Sequence, residues 1–259
     1  MQSLVIFGKE IPLYGLCLYI GVFVASLAAF VLLKRKKILP GYELLYSAVY
    51  VMIGALLGAK LLFLLVNLPE LIRLRISLLA ALQGGFVFYG GFLGALLALF
   101  IYVKQFKMRF FDYADLFAAV VPLGHAIGRV GCYFAGCCYG MPYDGPLHVV
   151  YTETAGVTPL GVPLFPVQLL ESALLVLLFV ALFILYLKTN RPRLTCAVYL
   201  VSYAVMRFFL EFLRYDAERG GFLGLSTSQW ISMGIVASVF AFAYVTRRKG
   251  KEKFENKGE

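Results

Sequence analysis

The chain has 259 residues, of which 61% are hydrophobic and only 15% charged, with a mean hydropathy of +0.85. That balance leaves too little polar surface for a soluble domain of this length and defines an integral membrane protein. A net charge of +10 does not point to nucleic acid, because the basic residues sit in short loops beside apolar stretches, where anionic lipid head groups attract them.

Stretches of about 20 apolar residues, enough to cross the hydrocarbon core, fall near 13–33, 44–68, 84–103, 113–134, 166–187, 196–213 and 226–245. They predict an all-α protein of seven transmembrane helices in one domain, 1–246, followed by a charged cytoplasmic tail, 247–259. The first span has no basic segment before it and no small-residue cleavage pattern after it, so it is read as a retained helix. Lys34, Arg35, Lys36 and Lys37 follow span one; Lys104, Lys107 and Arg109 follow span three; Lys188, Arg191 and Arg193 follow span five. Arg247, Arg248, Lys249, Lys251, Lys253 and Lys257 follow span seven. The opposite face holds Lys9, Arg73, Arg75, Arg214 and Arg219. Cytoplasmic loops collect Lys and Arg, so the N-terminus is expected outside and the C-terminus inside, in a bacterial cytoplasmic (inner) membrane.

Within the spans, Gly54 and Gly58 read as helix-packing residues. Gly84, Gly85, Gly90, Gly91 and Gly94 are denser than packing requires and suggest backbone N–H groups open to a lipid head group. Lys60 is expected to snorkel toward the interface. Asp112 and Asp115 open the fourth span, where they complement the helix dipole. Arg129, in GHAIGRVGCYFAGCCYG, and Arg207, in MRFFLEFLRYD, lie inside apolar segments. A guanidinium there is costly unless an anion meets it, so together they point to a bound phosphate. Glu211 is four residues after Arg207 and three before Arg214, which places all three on one face of a single helix. A structural ion-pair network is the plain alternative. His125, one turn before Arg129, is either a base or a histidine satisfied by a backbone carbonyl.

Cys132, Cys137 and Cys138 crowd the end of span four, while Cys17 and Cys196 look like packing residues. With no second Cys or His pair at ligand spacing, tight packing or a disulfide is favoured over a metal, and no cofactor is expected. Tyr139 is placed in the interfacial aromatic belt. Residues 138–165, rich in Gly, Pro and Thr with a β-prone HVVYTET, are expected to form a small extracytoplasmic cap over the site of Arg129, with His148 solvated.

Taken together, FVFYGGFLG, GHAIGRVGCYFAGCCYG, FPVQLLES and MRFFLEFLRYD, in this order over seven spans, resemble the bacterial prolipoprotein diacylglyceryl transferase family. The resemblance covers nearly the whole chain. It implies transfer of the diacylglyceryl group of phosphatidylglycerol to the lipobox cysteine thiol in a prolipoprotein signal peptide, with release of glycerol phosphate. It also implies catalytic roles for Arg129, Arg207, Tyr89 and Glu211. Substrate-binding roles are implied for Tyr14 in the Tyr-Gly pair of the first helix, Gly90, Gly91, Gly136, Gln168, Glu171 and Arg214. The chain departs from the family pattern where His-Gly-Gly gives way to Tyr89-Gly90-Gly91, and where Cys132 and Cys137 replace Asn and Glu. A tyrosine is a poor base near neutral pH, so Tyr89 is expected to donate a hydrogen bond to a phosphate or glyceryl oxygen.

Two other readings stand beside this one. A transferase-like enzyme would use Cys137 or Cys138 as nucleophile or redox pair on another lipid-linked substrate, and a non-enzymatic lipid or anion carrier would also employ buried arginines. The predicted orientation has a direct test: external protease added to intact protoplasts should cleave within 138–165 and spare the basic loops, and the reverse pattern would invert the topology.

Overall fold

A computed structural model of the chain describes residues 3–6, 9–36, 41–73, 77, 79, 82, 85, 87–153, 158–215 and 221–255. Helices dominate: α1 (Leu13–Lys36), α2 (Gly41–Val66), a short α3 (Leu68–Ile72), α4 (Phe88–Gln105), α5 (Phe110–Ala135), α6 (Val167–Lys188), α7 (Leu194–Leu210) and α8 (Thr227–Glu255). Each two-stranded β ribbon is short: β1 (Ser3–Ile6) with β2 (Lys9–Pro12), β3 (Val149–Val150) with β4 (Pro163–Leu164), and β5 (Gly221–Phe222) with β6 (Leu225–Ser226). In hydrocarbon the backbone has no water to bond, so a helix that satisfies its own N–H and C=O groups is the form these apolar runs can take. Among the described residues, α1, α2, α5, α6, α7 with its following turn, and α8 are long and apolar enough to cross a membrane. The predicted third span falls on α4, which begins at Phe88 instead of 84 and, among the described residues, is an apolar helix shorter than those six. Outward-facing side chains such as Leu57 and Leu93 are apolar and exposed, as a lipid-facing surface requires.

The chain divides into two compact units, 1–32 with 114–259, and 33–113. In the second, α2 and α4 cross on four glycines. A Cβ on Gly54 would strike Ala98 Cβ, one on Gly58 or Gly90 would strike the other's carbonyl oxygen, and one on Gly94 would strike Gly54 O. These contacts account for Gly90 and Gly94 as packing residues, and the Gly91 N–H donates to Val87 O at 3.2 Å. The expectation of an open backbone N–H therefore fails at Gly91; Gly84 lies outside the described residues. Lys60 turns its Nζ to Gly85 O at 3.2 Å and over the Phe63 ring. At the other end of this unit, Glu43 accepts hydrogen bonds from the Tyr102 and Tyr113 hydroxyls.

In the first unit, α1 meets α5 where a Cβ on Gly21 would come within 2.8 Å of Gly124 O. Ser172 Oγ donates to Ala126 O at 2.9 Å, tying α6 to α5. Asp115 does more than complement its own helix dipole: buried, it accepts the backbone N–H groups of Arg193 (2.6 Å) and Cys196 (2.8 Å), and so caps α7 from another helix. Those donors are orphans of a helix start, and Arg193 sits at φ 73°, where no local side chain caps them. Asp112 stays local, paired with Arg109 at 2.9 Å.

The segment after α5 folds back on itself. Tyr139, Tyr151 and Leu164 form a small core beneath β3 and β4, so Tyr139 is buried and not part of an interfacial belt. His148 is exposed, as expected, with Nδ1 3.0 Å from Gly145 O.

Replacing Gly94 by Val drives a side chain into Gly54 O and should cost about 2 kcal/mol through overpacking. The readout is a lower thermal midpoint in detergent micelles; an unchanged midpoint would mean that α2 and α4 can separate freely.

Candidate active site

Three elements of the first unit converge on a charged interior. From α5, Arg129 points to α6, where its Nη2 lies 2.8 Å from Glu171 Oε1; the side chains are 11% and 1% exposed. His125, one turn earlier, brings Nε2 to 3.9 Å from the same oxygen, too far for a hydrogen bond. From α7, Arg207 pairs with Glu211 at 2.5 Å and donates to Ser228 Oγ at 3.3 Å in the first turn of α8. Tyr203, one turn before Arg207, holds its ring 5.5 Å from that of His125 and lies in the fields of Arg129, Arg207, Arg214 and Glu171. Burying Arg129 and Arg207 together is tolerable because each has an anionic neighbour.

The predicted shared helix for Arg207, Glu211 and Arg214 does not form. Helix α7 ends at Leu210, Glu211–Leu213 is one turn of 3-10 helix, and Arg214 is extended at φ −96°, ψ 148°. Arg214 pairs instead with Gly140 in an antiparallel bridge, reinforced by Met141 N to Leu213 O at 2.9 Å and Tyr215 N to Tyr139 O at 3.3 Å. Glycine is required at 140, since a Cβ would collide with Phe165 O and sit 3.1 Å from Leu213 O. This bridge brings the end of α5 to the end of α7, a link no helical spacing could reveal.

Most of the candidate residues meet here. Gln168, buried at the start of α6, donates from Nε2 to Cys137 O at 2.8 Å. Gly136, at φ 65°, turns the chain out of α5, and its carbonyl accepts the Thr158 hydroxyl. Tyr14 packs beside Gly131, where an added Cβ would approach its Cδ2 to 3.4 Å, and it lies in the fields of Arg129 and the three cysteines. The sulfurs of Cys132, Cys137 and Cys138 lie within 4.8 Å of one another, and all five cysteines are free thiols. Tyr89, Gly90 and Gly91 belong to α4 in the other unit. Sequence reasoning missed Ser228, Thr158 and Tyr203; only Tyr203 carried a signal, four residues before Arg207 on the same helix.

Arg129 and Arg207 each keep one donor unused. Arg129 Nε and Arg207 Nη1 are fully buried and meet no acceptor among the described residues. A buried cationic N–H left unmet costs its desolvation, so each arginine, though paired with a carboxylate, retains capacity for one more anionic oxygen.

The α5–α6 pair should show strong coupling in a double-mutant cycle. Arg129→Ala alone leaves Glu171 buried and uncompensated at a cost of about 3 kcal/mol, and adding Glu171→Ala should return part of it. Additive losses in thermal or denaturant unfolding would contradict this coupling.

Comparison with known proteins bears on the whole of this arrangement. The family model described as prolipoprotein diacylglyceryl transferase matches residues 2–245. A phosphatidylglycerol–prolipoprotein diacylglyceryl transferase of Clostridium tetani is 34% identical over 92% of this chain and 94% of its own length. A second protein of that name, from Clostridium perfringens, is 30% identical over 96% of each chain, and one from Methylococcus capsulatus is 31% identical over 73% of this chain and 68% of its own. With that match running nearly end to end, the chain belongs to the prolipoprotein diacylglyceryl transferase family.

Proposed function

We propose that this protein transfers the diacylglyceryl group of phosphatidylglycerol to the lipobox cysteine thiol of prolipoprotein signal peptides and releases glycerol phosphate. The observation that carries the reading is the pair of buried donors, Arg129 Nε and Arg207 Nη1, left over after each arginine has met its carboxylate. The sulfur of the acceptor attacks the glyceryl carbon that bears the phosphate; a C–S bond forms as the C–O bond breaks, and the electron pair leaves with the phosphate. Negative charge therefore grows on the leaving group, where guanidinium forks stabilise it without losing their own protons. The thiol proton passes to His125 or to the departing phosphate.

In this reading Arg129 and Arg207 are the catalytic cations, and Glu171 and Glu211 hold them in place. Gln168 and Gly136 fix the loop after α5, while Tyr14 and Arg214 line the head-group side. Roles for Tyr89, Gly90 and Gly91 rest on the resemblance alone.

The membrane placement proposed with this function is seven spans in a single domain, 1–246, N-terminus out and C-terminus in, in the bacterial inner membrane. The loop 138–165 serves as the outer cap, and 247–259 as a cytoplasmic tail. Two facts support it. Helix α4 has 18 residues, which rise about 27 Å at ~1.5 Å each, close to the ~30 Å hydrocarbon thickness. With α4 counted as a span, two spans separate each basic stretch, after 33, 103, 187 and 246, from the next, which puts all four on one side.

Purified protein in vesicles of phosphatidylglycerol, given a lipobox peptide, should yield a diacylglyceryl thioether by mass together with free glycerol phosphate. Arg207→Ala and Arg129→Lys, the second keeping a charge opposite Glu171 but losing the fork, should each slow transfer by about a hundred-fold or more with the fold retained. Full activity in both variants, or no product from folded wild-type protein, overturns the proposal.

A further inference from the structure

The three cysteines at the end of α5 are not used by the transfer chemistry above, and their arrangement is more specific than packing demands. Cys132 lies in the last turn of α5. The chain then leaves the helix through Gly136 in the left-handed region, and Cys138 also lies there at φ 55°. A residue with a Cβ is disfavoured in that region, and the strain is retained at Cys138 although glycine lies only two residues to either side. The effect is to fold three sulfurs onto one point, all within 4.8 Å of one another.

The loop that does this is held from several directions. Cys137 N donates to Cys132 O at 3.1 Å and Gly136 N to Tyr133 O at 3.2 Å. Gln168 from α6 grips Cys137 O at 2.8 Å, Thr158 grips Gly136 O, and the Gly140–Arg214 bridge fixes the far end. The backbone that carries the sulfurs is thus held by protein contacts, as a preorganised ligand set should be, and the Cys137 thiol donates to Cys132 O at 3.7 Å. The guanidiniums of Arg214 and Arg129 also set a positive field at Cys138.

We propose that Cys132, Cys137 and Cys138 form a trigonal thiolate site for a soft d10 cation, monovalent copper foremost. Among the described residues, no histidine or carboxylate joins the three sulfurs. Three soft ligands without a nitrogen or oxygen partner select copper(I) over harder ions, and zinc would need a water as its fourth ligand. A metal about 2.3 Å from each of three coplanar sulfurs sets them roughly 4 Å apart, so the site closes by small side-chain rotations. Binding displaces the thiol protons to solvent, and the guanidiniums of Arg129 and Arg214 offset the excess negative charge of the complex. A disulfide would use only two of the sulfurs and leave the third without a function.

The test uses the full chain in detergent, reduced and then freed of reductant under anaerobic conditions. Copper(I) is titrated against a chromophoric chelator, and cadmium(II) is used in parallel as a spectroscopic probe. One ion per chain, a sulfur-to-metal charge-transfer band, and protection of Cys132, Cys137 and Cys138 from iodoacetamide, with Cys17 and Cys196 still reactive after unfolding in the presence of metal-free alkylant, would support the site. Cys138→Ser should weaken binding by more than the ~100-fold typical of losing an outer partner, while Cys17→Ser should not change it. Equal alkylation of all five thiols with and without metal in the wild-type protein, or copper affinity unaffected by Cys138→Ser, overturns the proposal and leaves the cluster as packing. Neither readout depends on transferase activity, so this site and the transfer reaction stand or fall separately.

Discussion

Everything at the centre of this protein depends on neutralising a guanidinium in an apolar interior. Arg129 cannot be buried alone in a membrane helix, and Glu171, almost wholly enclosed on α6, meets it at 2.8 Å. That single contact fixes the rotation of α5 against α6. It is reinforced by Ser172, one residue on, whose hydroxyl bonds to Ala126 O a turn before Arg129. Arg207 repeats the solution more locally, with Glu211 one turn away and Ser228 across on α8. Both arginines are tethered without being saturated, which is the condition a site for an anionic group requires.

The second constraint is backbone pairing at the helix ends. A chain leaving a membrane helix must still satisfy its polar groups. Here the segment after α5 does so by borrowing from distant parts of the chain: Arg214 and Leu213 beyond α7, Phe165 before α6, and the Gln168 side chain. These bonds carry Cys137, Cys138 and Gly140 to the charged interior and put Arg214 in an extended strand instead of on the helix that its spacing suggested. The same economy explains Asp115, which serves the start of α7 across 78 residues of sequence.

In the other unit, close helix approach takes the place of charge. Gly54, Gly58, Gly90 and Gly94 let the α2 and α4 backbones touch, so glycines that looked too frequent for packing are used by packing. Helical periodicity marked Gly54 and Gly58 correctly for this reason, while the density around 84–94 invited a different account because the facing helix is invisible to local reading.

What the sequence determined by itself was the class, the position of most helices, and the family. Hydrophobic run length is set by the thickness of hydrocarbon, buried arginines are rare enough to be informative singly, and the ordered motifs span the chain. It also supplied Arg129, Arg207, Glu171 and Gln168 as residues of interest. Only the tertiary structure decided which carboxylate meets which arginine, that Tyr139 is core, that Arg214 leaves its helix to bridge Gly140, and that three thiols point at one another. Those outcomes turn on contacts between segments far apart in sequence and on backbone torsions at Gly136 and Cys138. Neither hydropathy nor spacing encodes them, because both are properties of a single segment.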